Sequence, residues 1–258
     1  MKLIKQRLQG SLKAFSIHLG CSLGIAVIAA VTVFYFWYPE PYGSLLGGTA
    51  LFTLIVCVDV ICGPLLTLVL FNKRKPKKEL LLDLSLVVAI QLAALGYGIY
   101  TMAIARPIYL AYELDRFRVV SQADIEPQAF ADKPSHIPPA GWTGPKLIAV
   151  RVAQPDDADY LSQVELSVNG TETVHRPDRW DTYENQKSLA VKKSIAIEVL
   201  KKKHPDRADF VMAELKRLRL DSASTRWLPV QSRRSTGWVA LIDSTTGTVR
   251  GFLPLDGF

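Results

Sequence analysis

A carboxyl stands in the middle of an apolar run: Asp59 follows Leu54-Ile55-Val56-Cys57-Val58 and precedes Val60-Ile61-Cys62-Gly63-Pro64-Leu65-Leu66. Inside a bilayer a charged side chain at such a place costs at least about 2.5–3.5 kcal/mol, so it needs a partner. Gln91 offers one. Asp59 lies 12 residues from Phe71 and Gln91 lies 11 from Leu80, and at the helical rise both sit about 16–18 Å from the same end of their runs. Three chemistries are open to such a pair: a hydrogen bond that holds a helical bundle together, a polar docking point for a partner's transmembrane helix, or a step on a proton path. Gly63-Pro64 follows directly. Pro64 cannot donate to the carbonyl of Val60, so a kink is expected, with backbone polar groups near Asp59 left needing partners.

Other residues in the apolar runs are less demanding. His18 and Asp83 fall near the ends of theirs and read as interfacial polar groups. Gly20 and Gly24 make a GxxxG pair and Ala94 and Gly98 a second small pair, suited to packing within the bundle or against another membrane protein. Catalytic constellations are hard to find. Beyond the apolar runs there are three histidines, His136, His175 and His204, and no cysteine; no H-E-x-x-H, G-x-S-x-G, P-loop or paired-cysteine zinc pattern occurs. The reading is a non-enzyme with no cofactor and no metal.

The elements that must position these residues are three long runs, 15–38, 45–71 and 80–105. Each exceeds the roughly 20 residues that a helix needs to cross about 30 Å of hydrocarbon. Lysine and arginine set the orientation. Lys2, Lys5, Arg7 and Lys13 precede the first run and Lys73, Arg74, Lys75, Lys77 and Lys78 separate the second from the third, whereas the loop between the first two has Glu40 and no base. Both basic segments are therefore expected in the cytoplasm. Everything after residue 105 is expected on the far side, which in a bacterium is the periplasm. The first run lacks a small-x-small cleavage site and ends Phe36-Trp37-Tyr38-Pro39, so it is read as retained. Where a prepilin has glutamate five residues after the leader glycine, this chain has Phe15, so the chain is not itself read as a pilin.

The net charge of +7 does not signify nucleic acid, because 22 bases face 20 acids from Leu84 onward and the excess belongs to the basic loops. Membrane lipid is the expected surrounding. Cys21, Cys57 and Cys62 all lie in the spans and read as small apolar packing residues.

Residues 106–258 read as a soluble domain. Alternating or β-rich stretches predict strands at 108–113, 117–120, 146–152, 227–230, 237–242 and 249–253. Ser121 with Asp124 reads as a helix start, and helices are predicted at 156–166, 184–203 and 206–220, the last two joined at His204-Pro205. The fold class is thus a three-span α-helical transmembrane bundle (residues 1–105) followed by a soluble α+β domain (106–258) of four to six strands with a mostly antiparallel sheet.

Several segments together resemble the TfpX/TfpZ family of type IV pilin accessory proteins. They are Lys13-Ala14-Phe15-Ser16-Ile17-His18-Leu19, the exit Trp37-Tyr38-Pro39, the block from Val58-Asp59 through Gly63-Pro64-Leu65-Leu66-Thr67-Leu68, then Asp83-Leu84, Gln91-Leu92-Ala93-Ala94-Leu95-Gly96-Tyr97-Gly98 and Ala105-Arg106-Pro107. The likeness is best over 13–125 and loosens beyond Gly144-Pro145. It implies an inner-membrane, chaperone-like helper for a cognate major pilin, acting in pilus assembly, surface display and twitching. A pilin awaiting assembly has a helix in the bilayer and a head in the periplasm, and this architecture has a part for each. The competing classes are a periplasmic ligand-binding sensor, against which the short cytoplasmic segments count, and a membrane enzyme or transporter subunit. No signal of an oligomeric state is present.

Overall fold

The computed structural model describes residues 2–72, 75–125, 137, 140–170 and 172–258, with the side chains of all of these except 2–8 and 163. Lys73, Arg74 and His136 lie outside the described residues. The chain forms two compact units, Met1–Ala105 and Arg106–Phe258.

In the first unit α1 (Lys2–Val31) runs into a π-helical stretch, Thr32–Trp37. A short helix, α2 (Tyr42–Leu45), leads to α3 (Gly48–Cys57), which passes through a second π-helical turn, Val58–Cys62, into α4 (Gly63–Leu70). The unit closes with α5 (Lys77–Ala105). Gln9–Trp37, Gly48–Leu70 and Lys77–Ala105, of 29, 23 and 29 residues, are long and apolar enough to cross a membrane. Their outward faces are bare hydrocarbon, with Val27, Ile28, Val69 and Leu81 all more than 60% exposed. Water would penalise such a surface and lipid does not. Packing concentrates at one end, where Val33, Trp37, Tyr38, Phe52 and Met102 form a buried cluster. There Phe34 meets Phe52 edge to face at 5.0 Å and the Tyr38 hydroxyl donates to the Met102 carbonyl at 3.0 Å.

The second unit holds eight strands among the described residues: β1 (Pro107–Glu113), β2 (Arg116–Ser121), β3 (Lys146–Val150), β4 (Trp180–Thr182), β5 (Ile195–Ala196), β6 (Thr225–Gln231), β7 (Trp238–Asp243) and β8 (Val249–Leu253). Their order is β4-β3-β1-β2-β6-β7-β8, with β5 also on β6. The expectation of a mostly antiparallel sheet is corrected here: the sheet is mixed. β1 runs parallel to β3 and β2 parallel to β6 at its centre. Parallel neighbours need long connections, and the segments 114–145, which includes β2, and 122–224 supply them. The sequence hint lay in Ile108-Tyr109-Leu110-Ala111-Tyr112. That run is apolar without alternation, as for a strand covered on both faces, and all of β1 is buried.

The helices differ from expectation in instructive ways. The single helix predicted over 184–203 is two, α7 (Tyr183–Lys193) and α8 (Ile197–Lys203). The break has no glycine or proline; Ile195 and Ala196 leave the helix to pair with Trp227 and Arg226 of β6. The Trp227 indole N–H donates to the Ala196 carbonyl at 3.1 Å. Such a tertiary bond outbids local helix propensity, which is only a weak prior. The remaining helices are α6 (Tyr160–Val168) and α9 (Ala208–Arg217). At Ser121 the helix start amounts to one 3₁₀ turn, Gln122–Asp124, in which the Ser121 N–H and hydroxyl both donate to Asp124 Oδ2.

Glu113 ends β1 with its side chain 12% exposed and 3.5 Å from the Arg118 guanidinium. Burial holds its carboxyl above the usual carboxylate range, Arg118 pulls against this, and Glu172 adds to it. The fold therefore favours the neutral form, and Glu113's contribution to stability is full below its unfolded pKa of about 4.3 and is lost as pH rises through the higher folded value. Glu113→Gln, neutral at every pH, is expected to raise the melting temperature at pH 7 and to give no gain near pH 4. Equal gains at both values would contradict this account.

Candidate functional site: a polar cleft between the membrane helices

The local chemistry of the second span decides the site. In i→i+5 pairing the carbonyl of Asp59 would look to residue 64, and proline has no N–H to give. Gln91 supplies the missing donor: its Nε2 donates to the Asp59 carbonyl oxygen at 2.9 Å. Asp59 and Gln91 thus meet at the depth their spacing implies, through the Asp59 backbone rather than its carboxyl.

Gly63 makes this approach possible. A Cβ at position 63 would stand 2.0–2.3 Å from the Gln91 amide atoms, well inside contact distance. Gly98 does similar work further along α5, where a Cβ would meet Ile55 at 2.9 Å. Gly20 and Gly24 behave differently. Nothing lies within 4 Å of a Cβ at either, so the bundle leaves that face open rather than packing on it.

Two further polar bonds tie the first span to the second. The Ser11 hydroxyl donates to the Phe71 carbonyl at 2.9 Å, and His18 Nδ1 lies 2.6 Å from Thr67 Oγ1, the proton's place depending on the tautomer. His18 is therefore held within the bundle. Asp83 pairs with Lys75 at 2.6 Å, and Lys75 also reaches Glu79 at 3.2 Å. Thr67 and Ser22 escaped the sequence reading, since nothing in their spacing marks them.

Between the three spans lies a cleft of about 230 Å³, walled by His18, Ser22, Ile25, Asp59, Val88 and Gln91. A second, of about 260 Å³, opens between the second and third spans, with Ile55, Asp59 and Gly98 on its walls. Asp59 borders both. Its carboxyl makes no hydrogen bond among the described residues, and Gln91 Oε1 is buried without one. What the arrangement offers chemically is a pair of acceptors in a mostly apolar hollow that His18 and Ser22 also line.

The soluble unit brings His175 between Glu172, Asp124, Arg118 and Arg233, with 13% of its side chain exposed. Burial outweighs the neighbouring carboxylates and holds its pKa below the ordinary value. His204 is bound to the Asp256 carbonyl at 2.8 Å. No group of three or more histidine, cysteine, aspartate or glutamate side chains among the described residues could hold a metal ion.

A three-helix membrane unit with a polar cleft, joined to a soluble α+β unit, defines a polytopic membrane protein with a globular C-terminal part. The profile of the FimB family, described as fimbrial assembly protein, matches residues 6–47. "Fimbrial assembly protein, serogroup I" of Dichelobacter nodosus is 35% identical over 241 residues, 93% of each chain. The serogroup E1 protein is 34% identical over the same share, and the protein of serogroups C1 and C2 is 45% identical over 121 residues, 47% of this chain and 92% of its own. No solved structure matches. The chain belongs to the fimbrial assembly protein family, in accord with the type IV pilin accessory resemblance of its motifs.

Proposed function

We propose that this chain is an inner-membrane accessory protein of type IV pilus assembly that receives the major pilin of its own host before the subunit enters the filament. The observation that carries the reading is the likeness to proteins named for fimbrial assembly along 93% of the chain, both units included. The architecture supports it. The membrane bundle meets the pilin's helix in the bilayer and the α+β unit meets its head in the periplasm, so two weak contacts reinforce one another through effective concentration. The nine bases ahead of the first span and between the second and third support an orientation with those segments in the cytoplasm and residues 106–258 in the periplasm.

The test is isolation of the tagged chain in mild detergent from piliated cells. The host's major pilin is expected to accompany it in stoichiometric amount. A cysteine at Ser188 in the same chain is expected to react with a membrane-impermeant thiol reagent before lysis, and one at Asn72 only after it. Absence of pilin from the isolate, with pilin abundant in the membrane, would refute the reading; the reverse labelling order would refute the orientation.

A further inference from the structure

In the Asp59–Gln91 cleft two side-chain acceptor groups, the Gln91 amide oxygen and the Asp59 carboxyl, stand without a donor among the described residues. Gln91 spends its donor on the Asp59 carbonyl, which leaves Oε1 buried with lone pairs and no partner. Beside it the Asp59 carboxyl makes no hydrogen bond among the described residues, and a carboxyl accepts in either protonation state. Orphaned acceptors in hydrocarbon are costly, so something that donates belongs here. Its source is limited by depth. At the helical rise the pair lies about 16–18 Å from the nearer end of the spans, close to the middle of a core of about 30 Å. Acyl chains carry no donor and headgroups stay at the interface. A water in the cleft could bond Ser22 and His18 as well, but the other walls, Cys21, Ile25, Val88, Leu92 and Leu95, leave most of the volume apolar. Its volume of about 230 Å³ exceeds that of a cavity, about 150 Å³, known to take a benzene ring, so a whole side chain fits.

We propose that this cleft seats a transmembrane helix of another protein that presents a donor side chain or amino group, an ammonium or a hydroxyl, to Gln91 Oε1 and the Asp59 carboxyl. Gly63 fixes Gln91 in place for this, and the proline-starved carbonyl of Asp59 keeps the amide turned so that its oxygen, not its nitrogen, is left for the guest. The pilin reading above enters only in naming the guest as the pilin's membrane helix; the need for a donor rests on the cleft itself.

The test is photo-crosslinking in living cells from a benzophenone amino acid placed at Ile25 or Leu92 on the cleft wall, with Val69, 71% exposed and outside the cleft, as control. Adducts from Ile25 and Leu92 are expected to map by mass spectrometry to a pilin transmembrane segment, within one turn of a donor group. Asp59→Leu and, independently, Gln91→Leu are expected to lower the adduct at least tenfold at equal membrane abundance, whereas Asp59→Asn, which keeps an acceptor, retains most of it. Adducts with lipid alone, adducts between two copies of this chain alone, or yields unchanged in both leucine variants overturn the proposal. The two readings fail separately. Pilin adducts from Val69 but not from the cleft would remove the cleft and leave the pilin reading standing. Cleft adducts with a different membrane protein, lost in both leucine variants, would uphold the cleft and remove the pilin as its guest.

Discussion

Deleting this chain is expected to reduce surface pili and twitching by at least an order of magnitude, with pilin transcription unchanged. The expectation follows from the proposed two-part grip. If bundle and soluble unit each hold the pilin weakly, their combined hold exceeds either alone by factors of about 10²–10⁴, and the deletion removes both together. Pilin would remain in the membrane and fail to reach the filament, so electron microscopy and a surface-shear assay would fall while an immunoblot of membranes would not. A chimera carrying residues 107–258 of a relative that serves another pilin should take on that relative's preference, because the motifs that carry the type IV pilin accessory resemblance concentrate in residues 13–125 and leave most of the soluble unit to client-specific sequence. Preference that stays with residues 1–106 would move recognition into the bundle. Full piliation in the deletion strain, with pilin present, would end the accessory reading.

Gly63→Ala is expected to destabilise the bundle by about 1–3 kcal/mol, the usual range for overpacking, although alanine is the better helix former. The reason is geometric. The added methyl would overlap the Gln91 amide at 2.0–2.3 Å, and Gln91 cannot retreat without abandoning the Asp59 carbonyl. Adding Gln91→Ala should relieve the overlap but leave that carbonyl bare, so the double variant recovers only part of the loss. The two effects are coupled and will not add. Gly20→Ala supplies the contrast, since a methyl there touches nothing within 4 Å and should be neutral or slightly stabilising. The thermal midpoint of the detergent-solubilised chain, followed by size-exclusion fluorescence, checks all three. A neutral Gly63→Ala, or full additivity with Gln91→Ala, would break the account.

The three spans were legible because hydrocarbon demands long apolar helices whatever surrounds them, and their bounds differ from the structure by a few residues. The depth match of Asp59 with Gln91 was legible for the same reason: helical rise is fixed, so counting residues measures depth. The bond itself was not. That Gln91 would serve the backbone of Asp59 depends on a π-helical turn placing proline opposite that carbonyl, and on a glycine that the amide lies against. His18 looked interfacial by position, and only the crossing of the first two spans set it against Thr67.

In the soluble unit the longer strands were found because local pattern reports burial on one face or two. Their partners were not, since no residue in β2 announces that β6, more than a hundred positions later, will lie beside it and run the same way. The two-residue β5 shows the limit most clearly, a pause in what reads as one helix, made by Trp227 reaching for the Ala196 carbonyl. By itself, then, the sequence determined what the solvent enforces, namely which segments are long and apolar enough to cross lipid, how far along them their polar groups lie and which strands are covered. Only the tertiary structure decided which groups meet, because a hydrogen bond or a parallel pairing is selected by geometry between distant segments and leaves no period in either one.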